Sequence, residues 1–322
     1  MQDALVSVRH LKKYFAGRRR GTFVKAVDDV SFDIAKGETL GIVGESGCGK
    51  STLGRTMIRL IEPTGGQVLY EGTDLSTLSS EEMRIKRREI QIIFQDPYAS
   101  LNPRMTVKEL IRAPLDIFLH ESESSKMDKV MRIMNLVGLR EEFMYKYPHE
   151  FSGGQRQRIV IARALILEPR FIFCDEPVSA LDASVRAQVL NLMKRIQREM
   201  NLTYLFISHD LSVVRFLCDR VGVMYLGHLV ELADKHTLYE HPLHPYTKAL
   251  LSSIPVPDTE VKTEKIILRG EVPSPYNPPM GCPFHTRCPA AQEICKQRMP
   301  EMRDLGDGHL VSCHFCEEND HG

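Results

Sequence analysis

An α/β fold built on a buried parallel sheet is the prediction from three runs of sequence. The apolar segment 39–43 enters G-E-S-G-C-G-K-S-T at residues 44–52 and continues into the helix-forming segment 53–60. A second run, Phe171, Ile172, Phe173 and Cys174, ends on Asp175 and Glu176. Residues 204–208 and 221–226 form further unbroken apolar runs. Short continuous apolar strands alternating with helical segments read as strands covered on both faces. In such sheets ligands bind beyond the carboxyl ends of the strands.

The first loop fits G-x-x-x-x-G-K-[ST] at Gly44, Gly49, Lys50 and Ser51, between a strand and a helix as that pattern requires. Glycines allow backbone N–H groups to converge on an anion, Lys50 reaches terminal phosphates, and Ser51 offers a hydroxyl to Mg²⁺ at a positive helix start. A plain glycine-rich turn would not need Lys-Ser next. The candidate ATP-binding set is Gly44, Glu45, Ser46, Gly47, Cys48, Gly49, Lys50, Ser51 and Thr52. At the end of the second strand, Asp175 is placed to bind Mg²⁺ and Glu176 to orient and deprotonate an attacking water. A strand that merely ends in a polar turn would give the same run, but the phosphate loop upstream argues for the catalytic reading.

With these motifs in place, residues 1–257 resemble the ATP-binding subunits of ABC transporters, and five more motifs follow the family's order. Gln95, in F-Q-D-P, matches the glutamine loop that senses Mg²⁺ and water. Ser152, Gly153, Gly154 and Gln155, in F-S-G-G-Q, match the family signature, with Phe151 in place of the usual leucine. Asp182, in S-A-L-D, matches the loop that crosses the dimer interface, and His209, in S-H-D, the switch histidine at the γ-phosphate. Phe15, preferred to Tyr14, falls where the family stacks an aromatic ring on adenine. The resemblance implies a P-loop NTPase core with an antiparallel β subdomain and a helical subdomain over about 97–165.

Read from chemistry alone, Ser152 and two glycines open a helix over 155–167, so free N–H groups and the helix dipole could face an anion, or Ser152 could serve as an ordinary N-cap. The family relation favours the first: there this helix start faces the phosphate loop of a second subunit, and two ATPs are sandwiched between two domains. A lone chain would then hydrolyse ATP poorly.

Composition bounds the rest. A chain of 322 residues with 43% hydrophobic content can bury a sizeable core. No apolar run approaches the ~20 residues that span a bilayer, and no leader-like segment precedes the first strand. Lys+Arg and Asp+Glu both number 42, which removes the net positive field of a general nucleic-acid binder. The basic runs 18–20 and 84–88 read as a solvated loop and a solvated helix face.

Residues 258–322 form a separate extension. The stretch from His241 through His244 and Pro245, followed by I-P-V-P-D, resembles the extension of dipeptide and oligopeptide importer ATPases, with both histidines at a turn and helix start. Residues 271–281 are too proline-rich for a helix and read as a linker, leading to clustered cysteines. Cys282, Cys288, Cys295 and Cys313 give C-x5-C-x6-C-x17-C, which is not the paired spacing of zinc ribbons. The segment resembles the one that holds an iron–sulfur cluster in peptide-importer ATPases, and four thiolates suit a [4Fe–4S] cube. Zinc and free thiols remain the other readings; Cys316 and His314 are spare ligands.

The resemblance therefore implies an ATPase subunit of a bacterial dipeptide or oligopeptide importer, peripheral to the cytoplasmic face of the inner membrane. Its partners would be a homologous ATPase subunit, two membrane-spanning permease subunits and, through them, an extracytoplasmic substrate-binding protein, with no nucleic acid. Residues 94–104, F-Q-D-P-Y-A-S-L-N-P-R, lie closer to the second of the two ATPase subunits of such systems, which points to a heterodimer. An importer for nickel or another small solute would share all of these motifs. A nucleic-acid-linked ABC ATPase would bring tandem motifs or a basic arm, neither of which is in this sequence. Because the ATP site lies elsewhere in sequence, nucleotide binding is expected to survive Cys282→Ser or Cys288→Ser.

Overall fold

The computed structural model describes residues 4–17, 21–254, 266–268 and 270–316. Along the chain these form β1 (Ala4–Ala16), β2 (Phe23–Ala35), β3 (Thr39–Val43), α1 (Lys50–Met57), β4 (Gly65–Tyr70), β5 (Thr73–Asp74), α2 (Ser80–Lys86), β6 (Ile90–Ile93), α3 (Pro97–Ser100), α4 (Val107–Phe118), α5 (Glu123–Leu136) and α6 (Gly153–Leu165). There follow β7 (Phe171–Asp175), α7 (Ala183–Met200), β8 (Thr203–Ile207), α8 (Leu211–Leu217), β9 (Arg220–Tyr225), β10 (His228–Asp234), α9 (Lys235–Glu240), α10 (Pro245–Ser252), α11 (Glu293–Gln297), β11 (Arg303–Asp304) and β12 (Leu310–Val311). Two compact units result: Met1–Leu5 with Ala35–Glu38 and Thr77–Ile207, and Val6–Ile34 with Thr39–Ser76 and Ser208–Gly322. The expected 257/258 boundary and the basic run 18–20 lie outside the described residues.

In the first unit β6, β7 and β8 run parallel, with Ile93 beside Cys174 and Asp175 beside Ile207. Every residue of β7 and β8 is buried, as unbroken apolar runs require. Helices α3 to α6 occupy the segment expected to be helical. Their starts are locally encoded: Thr106 and Glu109 form a reciprocal capping box on α4, and Ser152 and Gln155 another on α6.

The second unit holds an antiparallel sheet ordered β2-β1-β4-β5. Both β1 and β2 span 13 residues. The unit's other strands are β3, paired in parallel with β9, then β10, β12 and β11, which continue antiparallel. Glu231, fully buried on β10, accepts hydrogen bonds from the Leu243 and His244 N–H groups at 2.8 and 3.0 Å, and lies 2.7 Å from His309 Nε2. One carboxylate thus ties β10 to the start of α10 and to the turn before β12. His244 caps α10, its Nδ1 accepting from the Tyr246 N–H at 3.1 Å. This places the second histidine at the expected helix start. Among the described residues no helix is long and apolar enough to cross a membrane.

Candidate active site

In the second unit, the wholly buried β3 delivers the chain to the phosphate loop. Helix α1 starts at Lys50, three residues before the first apolar position, with Gly49 as its N-cap at φ 108°. Lys50 is 5% exposed, and its ammonium donates to the Gly44 and Glu45 carbonyls at 2.7 and 2.9 Å. The cation is therefore fixed across the mouth of the loop and at the positive end of α1, a combination suited to phosphate. Ser46 and Gly47 are exposed, whereas Ser51 and Thr52 are partly covered. Burial pushes the Cys48 thiol up.

The same unit carries Phe15 and His209. The Tyr14 hydroxyl is committed to Asp28, while the Phe15 ring is 38% exposed with Lys13 Nζ 5.0 Å from its centroid. His209 is exposed between Ser208, which is buried, and Asp210, which caps α8 by accepting from the Ser212 and Val213 N–H groups.

In the first unit, Asp175 ends β7 at 2% exposure and Glu176 turns the chain at φ 49°. The left-handed region is uncommon for a residue with a side chain, and such strain concentrates at functional positions. The turn is held by the Glu176 N–H donating to Ile207 O at 3.1 Å and by Ser179 Oγ donating to Glu176 O at 3.0 Å. Gln95 Nε2 donates to Glu176 Oε2 at 3.2 Å, so two predicted catalytic side chains meet although 81 positions apart. Nothing local in the sequence announced the Glu176 backbone.

Ser152 caps α6: its N–H donates to Gln155 Oε1 at 3.0 Å and its Oγ accepts the Gln155 N–H at 3.4 Å. The ordinary cap is thus realised at the signature. Gly154 is buried where any Cβ would fall 2.2 Å from Val185 Cγ1, so a side chain there would have to displace Val185. Val185 in turn donates its N–H to Asp182 at 2.9 Å. That bond and the Ser184 hydroxyl hold the Asp182 carboxyl below its usual range. The signature and the Asp182 loop therefore pack as one block.

Cys282, Cys288, Cys295 and Cys313, together with Cys316, line one cavity of about 180 Å³ in the second unit. Burial pushes Cys282 up to about 11 and also raises Cys288, whereas a hydrogen bond from Cys316 lowers Cys313. Among the described residues, no three Cys, His, Asp or Glu side chains are arranged as metal ligands. The Cys282 N–H donates to Cys295 O at 2.7 Å, and Arg303 Nη2 donates to the Cys313 and Cys316 carbonyls at 3.0 Å each.

Sequence reasoning missed Arg287 and Tyr246. Arg287 pairs with Glu45 through Nη1 to Oε2 at 2.8 Å and Nη2 to Oε1 at 3.1 Å, and the Glu45 N–H donates to Tyr246 Oη at 2.9 Å. The tail therefore reaches the phosphate loop, a contact that distance in sequence gave no sign of.

Residues 27–179 match the ABC transporter family, and residues 230–295 match the oligopeptide/dipeptide transporter C-terminal region. The chain is 58% identical over 322 residues to the oligopeptide transport ATP-binding protein AppF of Bacillus subtilis (strain 168), covering 98% of each. It is 53% identical over 312 residues to a putative peptide import ATP-binding protein of Brucella ovis, covering 97% of this chain and 98% of that one. The dimeric ATP-binding cassette MJ0796, bound to ADP and Pi, superposes with a TM-score of 0.64 at 29% identity, over 71% of this chain and 98% of its own. CbiO1 of Clostridium perfringens, part of the ABC transporter complex cbiONQ, gives a TM-score of 0.67 at 26% identity over 74% and 92%. With the motif geometry and near-complete coverage at these identities, the chain belongs to the ABC transporter ATP-binding proteins of the oligopeptide/dipeptide branch.

Proposed function

We propose that this chain is the ATP-hydrolysing subunit that powers uptake of dipeptides or oligopeptides through an ABC importer. The carrying observation is one chain with the full ATPase motif set and a carboxyl-terminal region, residues 230–295, of the oligopeptide/dipeptide transporter type. Lys50 and residues 44–52 bind the phosphates, Phe15 stacks on adenine, and His209 holds the γ-phosphate. Ser51, Gln95 and Asp175 would hold Mg²⁺, which when bound offsets phosphate charge. Glu176 takes the proton of the attacking water, and Gln95 orients that carboxylate. Ser152, Gly153, Gly154 and Gln155 complete the ATP site of a homologous partner, with Asp182 at the dimer interface. ATP closes the dimer, closure moves the two membrane-spanning permease subunits at the cytoplasmic face, and hydrolysis resets the pair. Each step draws on unequal affinity of ATP for the open and closed states.

The test uses the reconstituted complex. Peptide-loaded binding protein should raise ATP turnover several-fold. Stimulation by nickel-loaded or sugar-loaded protein, with none by peptide, would overturn the peptide assignment.

For residues 258–322 we keep the reading of an extension in which Cys282, Cys288, Cys295 and Cys313 hold a [4Fe–4S] cluster. Their donor chemistry suits a cluster and all four line one cavity, although among the described residues no three are already arranged as metal ligands. Once bound, a cluster would crosslink separate turns of the extension, adding folding free energy. Protein purified without oxygen should be brown and contain iron and sulfide, and Cys282→Ser or Cys288→Ser should lose both. Stoichiometric zinc without iron would reassign the site, and metal-free, fully alkylatable thiols would remove it.

A further inference from the structure

Arg287 lies between Cys282 and Cys288, on a turn closed by its N–H donating to Phe284 O at 3.0 Å. The turn is anchored by Phe284, 1% exposed, whose ring centroid lies 5.2 Å from that of Tyr225 and 5.3 Å from that of Tyr246. From this base the guanidinium makes a two-pronged pair with Glu45, and its side chain is 8% exposed. Exposed ion pairs contribute little. This one is largely covered, bidentate and set on packed aromatic rings, the arrangement in which a planar fork fixes geometry as well as charge.

Glu45 is the second residue of the phosphate loop, and three of its groups are engaged at once. Its carboxylate is held by Arg287, its N–H by Tyr246 Oη, and its carbonyl by Lys50 Nζ. The contacts run without a gap from the tail to the ammonium that the family uses on phosphate. A loop held in one conformation before ligand arrives spends less of its binding free energy on ordering.

We propose that Arg287 is a positioning residue of the nucleotide site, which acts through Glu45 to hold the phosphate loop and so sets the affinity for ATP. The inference rests on residues 44–52 being the ATP loop; ATP binding by the unmodified chain, measured in parallel, tests that assignment separately.

The variants are Arg287→Ala, Arg287→Met, which keeps the aliphatic packing but removes the fork, Arg287→Lys, and Glu45→Ala with its double variant. Equilibrium ATP binding is measured on the full chain, and KM and kcat on the assembled complex. Both Arg287→Ala and Arg287→Met should raise Kd and KM for ATP about tenfold while kcat at saturating ATP stays within about twofold, the signature of lost ground-state positioning. Arg287→Lys should recover part of the affinity, and Arg287→Ala combined with Glu45→Ala should cost no more than either alone. Unchanged Kd and KM in Arg287→Met would overturn the proposal. So would an equal fall in kcat and thermal stability across all three Arg287 variants without a KM change, because that marks a purely structural residue.

Discussion

Glu176→Gln protein is expected to bind ATP as the unmodified chain does, yet to turn it over more slowly by a factor on the order of 10²–10⁴ in the assembled complex. Glutamine is nearly isosteric, so its amide oxygen can still accept from Gln95 Nε2, now 3.2 Å from Glu176 Oε2. What disappears is basicity. The unusual φ of 49° should survive the change, because the turn is fixed by main-chain bonds to Ile207 and Ser179 rather than by the carboxylate. Single-turnover hydrolysis with radiolabelled ATP, beside equilibrium binding, separates the two effects. Turnover within a few-fold of the unmodified complex would remove Glu176 as the base.

Strands β3, β7 and β8 were legible because burial on both faces leaves unbroken apolar runs, and the observed bounds fall within a residue of those expected. Helix starts were less so. Both α1 and α6 begin two or three residues early, at Lys50 and Gly153, since their first turns carry glycines and polar groups instead of the apolar repeat. The long β1 and β2 pass between buried and exposed positions, so neither carries the unbroken apolar run that marks the buried strands. The motif residues could be read one by one, but their mutual support could not. Arg287 and Glu45 are 242 positions apart, and His309 and Glu231 are 78 apart. Neither pair has a local pattern, because side chains that meet only through tertiary packing leave no periodic trace. The cysteines are the intermediate case: they cluster in sequence and line one cavity, but among the described residues no three of them are arranged as metal ligands.

Gly49→Ala should weaken ATP binding severely, while Gly47→Ala should leave a folded protein with only modest loss of stability. Both residues have positive φ, 108° and 78°, yet their surroundings differ. A Cβ on Gly49 would lie 2.0 Å from the Ala26 carbonyl oxygen and 3.0 Å from Met224 Cε. The methionine can turn aside, but the carbonyl belongs to the backbone of β2 and cannot. A Cβ on Gly47 would meet nothing within 4 Å, so alanine there carries only the left-handed penalty of about 1–2 kcal/mol. At residue 49 relief must come from moving the loop itself. Because residue 49 caps α1 and precedes Lys50, that shift displaces the helix start and the ammonium together. Titration calorimetry with ATP should show affinity down by roughly 10² or more for Gly49→Ala, since the loop's N–H groups and the lysine act on the same phosphates. Thermal unfolding of both variants supplies the control for folding. Gly49→Ala protein that binds ATP with unmodified affinity would mean that the close approach to Ala26 does not govern the loop, and the steric account would fail.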